Sequence, residues 1–262
     1  MKQSYKSLVL KLGSEVFKQN GGINEGVFAT VASQIALLCR EGIKITVVSS
    51  FAIRLGELWL KQHGFGANLV CPVLAAIGQS KLMARWDAAL LKEGLAAAQV
   101  LISDASLMHR DEWENAGSTI GICHAHSVIP VINANDPVSW NESQRYKART
   151  SDNDFVTAQL VPHIDATDVL FITNVAGVYA GLPHHPDARR YAEISADNPP
   201  HIEPYSAGDS NGGMGPKVKY AIECYDGGKR RVAITGLTDD VIVRFARGQD
   251  VPTMIGTRNV LC

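Results

Sequence analysis

The chain has 262 residues, 46% of them hydrophobic and 19% charged, which is ample material for a sizeable buried core. Lys plus Arg total 25 against 26 Asp plus Glu, a net charge of -1 that argues against a broad nucleic-acid footprint and a polybasic membrane anchor. No apolar run reaches the roughly 18–20 residues a membrane-spanning helix needs. The N-terminal MKQSYKSLVLKLGSEVF is interrupted by Lys11 and lacks a small-residue cleavage site, so it reads as a first strand rather than a signal peptide. The five cysteines (Cys39, Cys71, Cys123, Cys224 and Cys262) are odd in number, widely spaced and without a C-x-x-C. They point to a reducing compartment, with cytoplasm as the expectation, and to neither a disulfide framework nor a zinc clamp.

In chain order, Leu8 to Leu12 is a first short strand ending at Gly13. Val27, Phe28, Val31, Ile35 and Leu38 recur at helical steps and predict a helix over 25–41 that stops at Gly42. Ile43 to Ser49 is a near-continuous apolar run of the kind found in buried parallel strands. A helix over 72–93, a strand from Ala97 to Ile102, a helix over 110–126 and a strand from Val128 to Ile132 follow. Then come a helix over 153–162, a strand at 169–172, a helix over 216–226, a strand from Arg231 to Thr235 and a helix over 238–247. This alternation predicts an α/β fold with a mostly parallel sheet, whose right-handed crossovers bring the strand C-termini to one edge. Two polar stretches, 134–152 and the proline-rich 181–213, are expected to be long loops; no linker or internal repeat appears, so 1–262 reads as a single domain.

Several large enzyme classes lose support, because the chain has no G-x-x-x-x-G-K-[ST], no G-x-G-x-x-G opening its first helix, no G-x-S-x-G and no H-E-x-x-H. Polar clusters instead stand where strands end. Lys11 interrupts an apolar strand, and it must lie at an exposed edge, pair with a carboxylate or meet an anion. Ser49-Ser50-Phe51-Ala52 closes the strand from Ile43 and can turn backbone N–H groups toward an anion. Asn133-Ala134-Asn135-Asp136 follows Ile132, as an Asx turn or as a grip on polar substrate groups. Ser151-Asp152-Asn153-Asp154 precedes a helix. One such residue makes an N-cap, and the surplus suggests that a carboxylate holds a metal, a ligand or a lysine. Asn211-Gly212-Gly213-Met214-Gly215-Pro216-Lys217 opens a helix with glycines that let backbone amides approach phosphate, and Lys217 adds a mobile cation. Together Lys11 and Lys217 can clamp a transferring phosphoryl group. His124-Ala-His126 points its rings to different helix faces, and His184-His185 lies in a proline-rich loop, so neither pair reads as a chelate.

These segments together resemble the amino acid kinase family. The resemblance runs from Leu8 to about Thr257: VLKLGS at 9–14, VVSSFAIRLG at 47–56, AAIGQSKLM at 75–83, AQVLIS at 98–103, IPVINANDPV at 129–138, SDNDFVTAQLV at 151–161, GGMGPKVKYA at 212–221 and IGT at 255–257. Each is weak alone; eight in order are specific. The resemblance implies a three-layer αβα sandwich around a mostly parallel sheet. It implies transfer of the ATP γ-phosphate, with Mg²⁺, to a carboxylate of an amino acid, L-glutamate the expected acceptor, giving an acyl phosphate. By position it makes Lys11, Asp154 and Lys217 catalytic. Ser50, Phe51, Ala52, Asp136 and Asn153 would bind substrate. The nucleotide would be bound by Lys11, Gly13, Thr173, Asn174, Asn211, Gly212, Gly213, Met214 and Lys217, and Asp152 would assist the metal. It further implies a homo-oligomer whose partners are small molecules rather than nucleic acid or membrane, and a chain without the RNA-binding-like C-terminal domain of many relatives. The sequence departs from the family pattern at Phe51, where Gly is usual, at Ala134 in place of Glu, at Asn174 in place of Asp, and at Gly215-Pro216 in place of Ser-Thr. The phosphate-handling residues are kept, while the expected acceptor pocket is altered.

Overall fold

Ser7–Leu12 (β1) is buried along its whole length and forms the centre of the sheet in the computed structural model, which describes residues 6–66, 69–139, 152–202 and 213–262. A short 3-10 turn, Ser14–Phe17, and a small hairpin of Lys18–Gln19 (β2) and Gly22–Ile23 (β3) lead into Gly26–Arg40 (α1). That helix ends as its sequence predicts: Gly42 takes φ +80°, a left-handed turn that a side chain would resist, and its N–H donates to Cys39 O. Lys44–Ser49 (β4), Ala52–Gln62 (α2), Cys71–Lys92 (α3), Ala96–Ile102 (β5), Asp104–Met108 (α4) and Arg110–Ala125 (α5) follow. Next come Val128–Ala134 (β6), the single turn Asp136–Ser139 (α6), Asn153–His163 (α7), Asp168–Thr173 (β7), Tyr191–Ser195 (β8) and Met214–Tyr225 (α8). Arg231–Gly236 (β9), Val241–Ala246 (α9), Met254–Gly256 (β10) and Val260–Leu261 (β11) complete the chain.

The main sheet runs β11-β8-β10-β9-β7-β1-β4-β6-β5. All its pairings are parallel except β9 with β10 and β8 with β11. The expected three-layer αβα sandwich around a mostly parallel sheet is therefore the observed fold. Strand alternation divides the core between the two faces. Leu8, Leu10 and Leu12 of β1 pack with α1, α2, α3 and α9, whereas Val9 packs with α5, α7 and α8. Lys11 shares the face of Val9 and is turned toward α7 and α8 by the same alternation.

The structure differs from the sequence reading in the connections. Residues 52–62 form a helix that the sequence left unassigned; Gly56 interrupts its short apolar stripe, for a packing reason given below. The 181–213 stretch is not a continuous loop, because β8 lies within it, paired with β10 and β11. Its prolines flank the strand rather than enter it, which masked five residues of strand pattern. The 134–152 stretch contains the α6 turn, and residues 140–151 lie outside the described residues.

Candidate active site

The parallel strands β1, β4, β6, β7 and β9 end together at Leu12, Ser49, Ala134, Thr173 and Gly236. Helices α1 and α2 pack on one face of the sheet and α7 and α8 on the other, so a crevice is expected at this edge. The ladder continues one step beyond it: Ser50 N–H donates to Leu12 O at 3.2 Å and Gly13 N–H to Ile172 O at 3.1 Å. Residues 13 and 50 are thereby held by backbone rather than left as free loops.

Lys11 reaches from β1 to the carboxylate of Asp154 in the first turn of α7, and Lys217 reaches the same carboxylate from α8 at 2.9 and 3.2 Å. The three side chains are 5%, 2% and 7% exposed, so this is a buried cluster of two cations on one anion. Of the readings open for Lys11, a carboxylate partner is the one found. Burial brings the Lys11 ammonium from 10.5 down to about 8, with Asp154 opposing the shift and Lys217 adding to it. Burial alone would raise Asp154, but the two lysines outweigh it and hold the carboxyl at about 2. The cluster keeps one surplus positive charge in a dry setting. A β-carbon at Gly13 would stand 3.9 Å from Lys217 Nζ and 4.0 Å from Lys11 Nζ, so glycine leaves the space above both ammonium groups clear. Since the Gly13 N–H is engaged by Ile172, open space is what this residue contributes.

Asp152 is the N-cap of α7, its Oδ1 accepting from Asp154 N–H at 2.9 Å. The surplus of acidic residues is thus divided into one cap and one lysine-holding carboxylate. Burial first, then the Asp154 charge, raise Asp152 above the usual carboxylate range. Among the described residues no group of three His, Cys, Asp or Glu side chains could hold a metal ion.

A second cluster lies along the same edge. Asn153 Nδ2 donates to Ser50 Oγ at 3.0 Å and to Asn133 Oδ1 at 2.8 Å, and Asn133 Oδ1 and Asn153 Oδ1 both accept from Ala134 N–H. Ser50, Asn133, Asn153, Asp136, Arg54 and Glu57 border a cavity of about 280 Å³, with Phe51 and Ala52 at its back. Asn133 therefore uses its side chain across strands instead of closing a simple Asx turn. Phe51 borders the cavity, but its ring stacks on Phe17 in a core group that includes Phe28 and Trp86. It does so at φ +100°, the left-handed conformation suited to the glycine usual at this position. Trp86 Nε1–H ties the end of β4 by donating to Ser49 Oγ at 2.9 Å.

Thr173 and Asn174 end β7 and line a larger cavity of about 640 Å³ with Glu15, Lys18, Thr235 and Arg244. Gly213 is the N-terminal flank of α8, and Met214 is buried in the core beneath it. Asn211 and Gly212 lie outside the described residues. Neither histidine pair is drawn into the site: His124 Nε2 lies 3.0 Å from Thr46 Oγ1 and 3.2 Å from Ile45 O, and His184 and His185 are exposed. Sequence reasoning missed Gln79 of α3, whose Oε1 accepts from Asn133 Nδ2 at 2.7 Å. Its signal was its place within the AAIGQSKLM segment at 75–83, beside Gly78.

The family model described as the amino acid kinase family matches residues 6–236. Glutamate 5-kinase of Dehalococcoides mccartyi is 33% identical over 252 residues, 94% of this chain and 67% of that protein. Glutamate 5-kinase of Methylobacillus flagellatus is 33% identical over 256 residues, 95% of this chain and 67% of that protein. The chain thus spans about two thirds of the length of these relatives. Among solved structures, carbamate kinase from Giardia lamblia bound to AMP-PNP superposes with a TM-score of 0.65 at 15% identity, covering 97% of this chain and 99% of that one. Isopentenyl phosphate kinase from T. acidophilum gives 0.67 at 16% identity, covering 96% and 100%. These structural likenesses establish the shared fold, and the sequence matches establish descent: the chain belongs to the amino acid kinase family.

Proposed function

We propose that the protein transfers the γ-phosphate of ATP to the side-chain carboxylate of L-glutamate, forming an acyl phosphate. The observation that carries this reading is the pair Lys11 and Lys217 on Asp154, at the sheet edge shared with the Ser50–Asn153–Asn133 cavity. The similarity to glutamate 5-kinases supports the acceptor. So does the mixed charge of the cavity border, where Arg54 and Lys18 stand with Glu57 and Asp136, a lining suited to an amino acid carrying both signs.

The chemistry asks little proton transfer of the protein. A carboxylate arrives as an ionised nucleophile; its oxygen bonds the γ-phosphorus as the bond to the ADP oxygen breaks, and ADP leaves with that electron pair. Positioning and charge stabilisation then dominate. Lys11 and Lys217 hold the equatorial oxygens of the moving group, and Asp154 keeps both ammonium groups aimed at it without neutralising them. Thr173, Asn174, Gly213 and Met214 fall to the nucleotide side, with Gly13 leaving room for the phosphates. Ser50, the 51–52 backbone, Asp136 and Asn153 fall to the acceptor side. Mg²⁺, when bound, would supply further charge neutralisation. Asp152, a half-buried carboxylate with one oxygen free of the N-cap bond, would be the residue to hold it. The unpaired state of all five cysteines supports a reducing compartment, in keeping with cytoplasm. Among the described residues no helix is long and apolar enough to cross a membrane.

Hydroxylamine trapping with ATP, Mg²⁺ and a panel of acids headed by L-glutamate tests the reading, because only an acyl phosphate yields a hydroxamate. A glutamate signal supports it. A signal with a different acid makes the protein a kinase of the same fold with another acceptor, the second reading favoured by Phe51 and by the absence of charge at buried Ala134. Nucleotide binding with silence across the panel would indicate an acceptor other than a carboxylate, or a nucleotide-binding protein without turnover.

A further inference from the structure

The wall of the acceptor-side cavity is held from behind by Gln79, which does not itself border the cavity. The hydrogen bonds in this wall have one consistent direction. Ala134 N–H is a fixed backbone donor and sets the oxygens of both Asn133 and Asn153 toward itself, at 2.9 and 3.2 Å. Asn153 then directs its amide hydrogens to Asn133 Oδ1 and Ser50 Oγ. Asn133 directs its own amide nitrogen to Gln79 Oε1 at 2.7 Å. Turning Asn133 or Asn153 over would set oxygen against oxygen or hydrogen against hydrogen.

Gln79 keeps its oxygen on Asn133 even though its Nε2 is then buried with no partner among the described residues. Such an orphan donor is unfavourable, and its persistence indicates that the oxygen's orientation is imposed by its neighbour. The backbone beside it is equally fixed. A β-carbon on Gly78 would come within 1.8 Å of Ala52 O, and one on Gly56 within 2.0 Å of Leu74 O, so α2 and α3 meet backbone to backbone. This contact is why the stripe of α2 contains Gly56. It sets Gln79 on α3 in register with Asn133 on β6.

We propose that Gln79 is a positioning residue for the acceptor: by holding Asn133, and through it Asn153, it keeps the hydroxyl of Ser50 in place on the cavity wall. Ser50 Oγ receives the Asn153 donor, which leaves its hydrogen and one lone pair for the substrate. This deepens the kinase reading and rests on it for the identity of the pocket.

Calorimetric titration of L-glutamate, run beside the trapping assay, tests the proposal on wild type, Gln79→Met, Gln79→Glu, Ser50→Ala and the double variant Ser50→Ala/Gln79→Met. Gln79→Met is expected to weaken glutamate about tenfold in both Kd and KM, with kcat and the KM for ATP within about threefold of wild type. Gln79→Glu retains an oxygen for Asn133 and is expected within about threefold of wild-type affinity; it also serves if the methionine variant fails to fold. In the Ser50→Ala background Gln79→Met should have no further effect on glutamate. Unchanged affinity in Gln79→Met, a full additional tenfold loss in the Ser50→Ala background, or equal loss in the glutamate variant overturns the proposal. A wild type that binds glutamate without making acyl phosphate removes the kinase reading, while the Kd series still decides the role of Gln79. Turnover with an unchanged KM in Gln79→Met does the reverse. Failure of the wild type to bind any acid of the panel overturns both.

Discussion

The ring of Phe51 stacks on that of Phe17, with centroids 5.3 Å and planes 24° apart, joining the segment that follows β4 to the one that follows β1. The two segments border the proposed acceptor and phosphate positions, so one aromatic contact sets their spacing. It is made at the expense of a left-handed backbone at Phe51. Two opposing effects can be separated by substitution. Phe51→Ala removes a ring that is 4% exposed and keeps the strain, and should destabilise by about 3–5 kcal/mol. Phe51→Gly removes the ring and relieves the strain, so it should be about 1 kcal/mol less damaging than the alanine. Urea unfolding of both variants gives the difference, and a glycine variant no more stable than the alanine would show that the backbone is not strained. Acceptor profiles of the same proteins report whether the ring also shapes specificity.

The two pKa displacements in the lysine cluster act in different pH ranges. Lys11 is held at about 8, so kcat/KM for ATP should fall as pH rises through that value and the ammonium is lost. A bound triphosphate favours the charged lysine, so the same limb should lie at higher pH in kcat. Fold stability moves the opposite way. Between about 8 and 10.5 the unfolded chain binds the proton that folded Lys11 has released, so this group's contribution rises with pH. Asp154, held at about 2, contributes stability above its ordinary 3.8 that is lost as pH falls toward 2. Rate profiles and urea midpoints across pH check both signs, and a basic limb at the same pH in kcat and kcat/KM would count against contact between Lys11 and the nucleotide.

Asp154→Asn leaves two buried ammonium groups facing one another without their anion. Loss of one partner from a buried ion pair is expected to destabilise by about 3–5 kcal/mol. Activity should fall at least about a hundredfold, because the lysines are no longer aimed. ATP should raise the melting temperature of this variant more than that of the wild type, its phosphates taking the place of the missing carboxylate. An equal rise in both would argue that the nucleotide does not reach the cluster.

Glycine substitutions distinguish close packing from incidental flexibility. Gly78→Ala drives a β-carbon into the Ala52 carbonyl and must separate α2 from α3, for an expected loss of about 2 kcal/mol or more and weaker acceptor binding. Gly121→Ala, in a helix where the added carbon meets nothing within 4 Å, should stabilise by up to about 1 kcal/mol. Melting temperatures of the pair provide the comparison.

The regular elements were readable because their burial is periodic: β1, β4, β7 and β9 are fully or almost fully buried runs, and α1 carries a clean stripe. Residues 52–62 escaped because Gly56 serves a helix contact that no local pattern encodes. β8 escaped because prolines surround five residues whose partners come from the end of the chain. Within the site, the surplus of acidic residues at 152–154 signalled a lysine-holding carboxylate, since one cap needs only one of them. The direction of the amide chain through Asn133, and the part Gln79 takes in it, depend on register between α3 and β6 and have no local signature. Phe51 was legible as a departure, but the inward turn of its ring was not, because the partner that draws it in, Phe17, lies on another segment.

The position of Lys11 in the central strand bears on how the chain is made. β1 leaves the ribosome before its partners: the carboxylate that compensates its lysine is in α7 and one of its strand neighbours is β7. A nascent chain that ends before Asp154 can pair β1 with β4, but Lys11 then lies on a face of the sheet that α7 and α8 have yet to cover. Since α7 precedes β7 in the chain, the carboxylate is already made when β1 can gain its second strand neighbour, so Lys11 never meets β7 without its anion at hand.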